Sequence, residues 1–253
     1  MRYIDSHLHL AEYDNSAQVI AYALSSETLL LSTAVNERSA ALNLELGRRH
    51  PETIRAFVGV HPSEAGGGLD WMEGAVVEAS GVGETGLDPN YSDVSEKSEQ
   101  MVSFLAHLRL AEEKRKPIQL HTRGAERIAA EKLSSYHLPS VLLHWFEDEE
   151  SSSLMADRGY YVSLGPAVLY SKKLSRIAAS YPADLILPET DGPVAFKALG
   201  GVAGPFLVPS VVLRLAELRR KGFAEMAELL LKNGLSYLGE ERKVNHHSEL
   251  GLK

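Results

Sequence analysis

Short apolar runs alternate along the whole chain with longer stretches in which apolar residues recur every three or four positions. The runs predict strands over 3–6, 28–33, 54–60, 79–83, 117–120, 140–143, 160–163 and 183–188. The stretches between them predict helices. One carries Leu42, Leu44 and Leu46 with Arg48 and Arg49, and it must stop before His50-Pro51 because a proline pushes the preceding residue out of the α region. Asp93-x-x-Glu96 has the form of a capping box opening the longest helix, with Met101, Leu105, Leu108 and Ala111 as its apolar stripe. Further helices are predicted over 123–133, 147–157, 171–180 and 209–220. Regular β-α alternation implies a parallel sheet covered by helices, and eight such units in 253 residues suit a (β/α)8 TIM barrel of the α/β class. The barrel is expected as a single domain over 1–239, followed by a polar tail over 240–253 that holds His246 and His247. An open doubly wound sheet is the competing architecture.

Composition narrows the chemistry. Against 26 Lys and Arg stand 34 Asp and Glu, a net charge of −8, which argues against holding a polyanion by charge alone. There is no cysteine, so disulfides, thiolate nucleophiles and Cys-type zinc sites are excluded and any metal must take nitrogen and oxygen ligands. No apolar run reaches the ~18 residues of a membrane span, and the amino terminus carries no signal-like apolar segment. No membrane association is therefore expected; the expectation is a soluble, cytoplasmic protein, for which a monomer suffices.

In a (β/α)8 barrel, active-site groups stand at the carboxyl ends of the strands. His7 and His9 stand there on the first predicted strand, on one face because side chains alternate. His61 follows the third strand, Glu84 and Asp88 the fourth, His121 and Arg123 the fifth, His144 the sixth and Asp191 the eighth. A lone buried imidazole is usually a hydrogen-bonded core residue. Here five of the ten histidines share one rim with two carboxylates, which points to metal. Four histidines with Glu84 and Asp191 are too many ligands for one four-coordinate ion and enough for two ions sharing a carboxylate. Such donors suit zinc, manganese, iron or nickel more readily than magnesium or calcium. Two divalent ions would lower the pKa of a shared water and polarise a carbonyl or phosphoryl group, which is hydrolytic chemistry. The segment Gly81-Val82-Gly83-Glu84-Thr85-Gly86 also fits a dinucleotide-binding turn, but a carboxylate inside a pyrophosphate cradle, with Pro89 where the helix should run, excludes it.

His7-x-His9, Gly59-Val60-His61-Pro62, Gly83-Glu84-Thr85-Gly86-Leu87-Asp88, His121-Thr122-Arg123, His144 and Glu189-Thr190-Asp191-Gly192-Pro193 together resemble the TatD family of metal-dependent deoxyribonucleases, within the amidohydrolase-like barrels. The resemblance implies that His7, His9 and Asp191 hold one ion, His121 and His144 a second, and that Glu84 bridges them. It further implies that His61 meets the substrate phosphate, that Asp191 orients or deprotonates the attacking water, and that Arg123 and Asp88 lie close by. The implied substrate is a DNA end. Two loops depart from the family pattern. Gly200 to Pro205 lacks the family's usual cations, and Trp145-Phe146-Glu147-Asp148 stands where a small residue, an aromatic and Ser-Gly are usual. These departures keep open a small phosphoester, a lactone or an aminoacyl-tRNA ester as the substrate. A non-catalytic binding protein stabilised by metal is the alternative of another class.

Overall fold

A computed structural model describes residues 1–196 and 200–240. Eight strands neighbour one another in chain order: β1 (Tyr3–Leu8), β2 (Thr28–Thr33), β3 (Ile54–Val58), β4 (Gly81–Gly86), β5 (Ile118–His121), β6 (Val141–Leu143), β7 (Tyr161–Leu164) and β8 (Ile186–Pro188). Every neighbouring pair is parallel. The single-domain (β/α)8 barrel is therefore the fold, and the open sheet is not. Closure between β8 and β1 is made by the chain just past β8. The Asp191 N–H donates to the His7 carbonyl at 2.9 Å, and the His9 N–H to the Gly192 carbonyl at 2.7 Å.

Outside the strands lie α1 (Ser16–Ser25), α2 (Glu37–Arg49), α3 (Met72–Glu78), α4 (Lys97–Glu113), α5 (Glu126–Leu133), α6 (Ser152–Asp157), α7 (Lys172–Ser180), α8 (Val208–Arg219) and α9 (Phe223–Leu238). A two-stranded hairpin of β9 (Ala195–Phe196) and β10 (Gly201–Val202) follows β8. Helix α2 ends before Pro51 as expected, but it turns a different face inward. Ala40, Asn43 and Leu46 are buried whereas Leu42 is exposed, because a 3.6-residue period cannot bury every second position. Helix α4 starts later than the sequence suggests. Its capping box is Glu96 with Glu99, not Asp93 with Glu96. The helix expected from residue 147 begins only at Ser152, because Trp145 adopts a left-handed φ of 44° and the chain through 150 makes a loop. Of the predicted tail, Glu240 ion-pairs with Arg55 at 2.8 Å, while residues 241–253 lie outside the described residues.

The outward strand residues Val58, Val82, Ile118, Leu120, Leu143 and Val162 join Phe104 and Leu108 of α4 and Val211 and Leu215 of α8 in the largest apolar cluster. Fully burying each such side chain stabilises the fold by about 1.5–3 kcal/mol before entropy is counted. Inside the barrel the layers differ in character. Leu29, Leu31, Phe57, Leu142 and Leu187 cluster with Tyr237 of α9, whose ring stacks on Phe57. Two residues further along the same inward faces come Thr33, His144 and Glu189, all buried and polar. An apolar floor thus supports a polar layer, and the polar layer carries the candidate site.

Candidate metal centre

A register irregularity interrupts the alternation of β1 between Asp5 and Leu8, and beyond it His7 and His9 face the rim. Asp5 is fully buried and accepts from the Thr190 N–H at 2.9 Å and the Thr190 hydroxyl at 2.5 Å, which anchors the chain leading to Asp191. Asp191 has a φ of 50°, a left-handed conformation that Asp tolerates better than most side chains. Gly192 is required beside it. A Cβ there would fall 1.7 Å from the Tyr13 hydroxyl, which donates to the Ala203 carbonyl at 2.7 Å.

Glu84, 1% exposed, stands at the centre of the rim. Its Oε2 faces His9 Nε2 at 3.3 Å and His7 Nε2 at 3.5 Å. Its Oε1 faces His121 Nδ1 and His144 Nε2, each at 2.8 Å, and His61 Nε2 at 3.7 Å. Asp191 Oδ1 lies 3.2 Å from His9 Nε2 and 3.6 Å from His7 Nε2. Ligands bound tetrahedrally at about 2.1 Å are about 3.4 Å apart, so the spacing on the His7 and His9 side is that of a coordination shell. Two atoms on that side, His7 Nε2 and Glu84 Oε2, are buried without a hydrogen-bond partner. Buried polar atoms rarely go unsatisfied, and a cation between them would engage both. Among the described residues, three overlapping groups can hold an ion: His7, His9 and Glu84; His7, His144 and Asp191; His61, Glu84 and His121. All six sequence-predicted ligands converge. His61, expected at the substrate, lies close enough to Glu84 and His121 to join the last group.

The far nitrogens of these imidazoles, other than that of His144, are also held. His9 Nδ1 donates to the Thr33 carbonyl at 3.0 Å, and His121 Nε2 to Asp88 Oδ2 at 2.7 Å. Asp88 further takes Arg123 at 2.8 Å, so the arginine, 58% exposed, leans over the Tyr91 ring with part of its charge already engaged. Glu189, part of a sequence motif but assigned no role there, accepts from the Trp145 N–H at 2.8 Å and the Ser163 hydroxyl at 2.6 Å, and Gln119, which the sequence did not single out, contacts His7. Their signal was positional: each lies two residues before a rim residue and therefore on the same inward face.

Without an ion, protons take its place. Burial alone would raise the Glu84 pKa, but His144, His61 and His121 outweigh it and hold the carboxyl well below its usual range. Burial alone would likewise depress His9, yet Asp191 and Glu84 raise it from 6.5 to about 9. A raised histidine contributes stability fully present below its unfolded value and lost as pH climbs through its folded one. Asp5 acts in the same direction, since burial first, and Glu189 next, lift its carboxyl to about 8. The metal-free protein is therefore expected to lose thermal stability between pH 6.5 and about 9, and a saturating divalent ion should remove the imidazole part of that loss. Melting curves at stepped pH, with and without ion, check this; a metal-free melting temperature flat or rising over that window contradicts it.

The rim opens on a cavity of about 820 Å³ that His9, His61, Glu84, His121, His144 and Asp191 line together with Tyr91, Arg123, Trp145 and Pro193. A (β/α)8 barrel with a histidine and carboxylate cluster at the bottom of such a cavity defines a metal-dependent hydrolase. The model of the TatD-related DNase family matches residues 4–239, and the chain belongs to that family. It is 27% identical over 246 residues to a metal-dependent hydrolase of Haemophilus influenzae, covering 90% of this chain and 96% of that one. It is 23% identical to human deoxyribonuclease TATDN3, covering 95% and 96%. The crystal structure of YJJV, a TatD homologue from Escherichia coli, superposes with a TM-score of 0.84 at 25% identity over 93% of this chain and 97% of that one. No helix among the described residues is long and apolar enough to cross a membrane.

Proposed function

We propose that this TatD-family hydrolase cleaves phosphodiester bonds at the ends of DNA with two divalent ions. The observation that carries the reading is Glu84, whose two oxygens face two separate sets of imidazole donors, His7 and His9 on one side and His121 and His144 on the other. His7, His9 and Asp191 would hold one ion, His121 and His144 the other, with Glu84 common to both. Bound there, the ions would lower the pKa of a water and polarise the phosphoryl group. The side chains do the rest. Asp191, on the cavity wall, accepts the proton of the attacking water. His61, on the cavity wall, accepts the Ser63 N–H on Nδ1 at 3.1 Å, which leaves its proton on Nε2, 3.7 Å from Glu84 Oε1. Burial lowers its pKa to about 4, so near neutral pH it is an uncharged donor suited to a phosphoryl oxygen. Arg123 supplies positive charge on the cavity wall.

A second reading, a small phosphoester as substrate, is favoured by the rest of the lining. Glu12, Glu64, Glu126 and Glu147 border the same cavity, and Arg123 is the one Arg or Lys among its described lining residues. A long polyanion would meet repulsion there. Both readings predict few phosphate contacts. Each phosphate neutralised on a single strand contributes about −0.7 to the log–log salt slope, so a slope no steeper than about −1.5 is expected for oligonucleotide binding. The test is chelation followed by ion replacement, with a single-stranded oligonucleotide and an aryl phosphodiester compared across a salt series. Ion-dependent cleavage of the oligonucleotide with a shallow slope supports the first reading, and cleavage of the aryl ester alone supports the second. Hydrolysis of neither overturns both, and a slope equal to five or more phosphates overturns the claim of a weakly charged groove.

A further inference from the structure

Beneath the rim, out of reach of the cavity, lies a buried amide. Gln119 stands on β5 two positions before His121 and points into the barrel, fully buried. Room for it comes from Gly83 on the neighbouring strand. Gly83 has a φ of 143°, and a Cβ at that position would lie 2.9 Å from the Gln119 Cβ. The Gln119 amide nitrogen donates to the Ser6 carbonyl at 2.9 Å. A carbonyl only accepts, so this bond fixes which way the amide is turned. The Gln119 Oε1 then faces the Thr33 hydroxyl and His7 Nδ1, each at 2.7 Å. Oε1 only accepts as well, so His7 Nδ1 must be the donor.

We infer that Gln119 is a positioning residue that holds the His7 proton on Nδ1 and so keeps Nε2 free as a ligand atom. This rests on the metal centre proposed above. The orphaned state of His7 Nε2 is what that arrangement produces when no ion is bound. His121 has its far nitrogen held by a carboxylate, whereas His7 is held by a neutral group. Glu84 and Glu189 are already fully buried around the same imidazoles, and a further anion there would have to be desolvated without a partner. An amide supplies the acceptor without the charge. A spacer role alone, in which Gln119 only fills the barrel, would not fix the position of a proton.

The test uses the full chain in three forms: wild type, Gln119→Leu and Gln119→Glu. Ring ¹⁵N shifts of His7 in the metal-free wild type should show Nδ1 protonated and Nε2 bare. A proton on Nε2 overturns the inference whether or not any variant folds. Zinc titrated against a competing chelator should bind Gln119→Leu about 10- to 100-fold more weakly than wild type at the tighter site. Gln119→Glu should recover most of that affinity, because a buried, protonated glutamate can donate to Ser6 and accept from His7 as the amide does. Leucine binding zinc as tightly as wild type, or glutamate failing to rescue, overturns the inference. If the wild type binds no divalent ion, the metal reading fails by itself, and the His7 spectrum still decides the position of the proton.

Discussion

Replacing Glu84 with glutamine should cost both ions and nearly all hydrolysis. The shape of the side chain is retained, but one of its two oxygens becomes an NH2 group that cannot ligate, and the charge shared between the two sets of imidazoles is lost. Ion polarisation contributes several kcal/mol to such a reaction, so activity should fall on the order of 10³-fold or more. Metal analysis after dialysis separates this from a local defect. Retention of one ion at wild-type affinity with loss of the other would show that Glu84 serves a single site. The metal-free variant should also release protons, because the carboxylate opposes the effect of burial on His144 and holds its imidazole well above its usual pKa.

Asp191→Asn should be nearly as damaging to turnover and far less damaging to ion content. The amide oxygen can still ligate, but it cannot take a proton from water at neutral pH, and general-base groups typically contribute 10²–10⁴-fold. The expected result, at saturating ion, is a fall in kcat of about that size with KM little changed. An unchanged kcat would move the proton to another acceptor. An independent sign is available without substrate: Asp191 is the largest influence raising the His9 pKa against burial, so His9 should titrate lower in the metal-free variant.

The barrel was legible because its strands are nearly continuous apolar runs, buried on both faces, and because turn residues mark their ends. The ligands were legible for a related reason, since strand ends in this architecture converge and ligand-type residues there are conspicuous. Helix α9 was not legible. It packs against β1 and β8 through one regular stripe of Met226, Ala227, Leu230, Asn233, Gly234 and Tyr237, but a polar residue and a helix-disfavouring glycine stand in the middle of that stripe and break its apolar signal. The parts of the site missed by sequence reasoning are those whose partners are distant. Nothing near Gln119 in the chain announces His7, which is 112 positions away, and Glu189 meets Trp145 across 44. The alternation of β5 and β8 told which way these side chains point but not what they meet.

The join between β1 and the chain after β8 also bears on synthesis. Asp5 and Thr190, which clasp that seam, are 185 positions apart, and Asp191, Gly192 and the closing backbone bonds to His7 and His9 lie beside them. Contacts of such long range carry a large loop-closure cost and form late. A chain still emerging from the ribosome with β8 unmade has neither a closed barrel nor Asp191 on its rim. The rim is therefore assembled only once the last strand is in place.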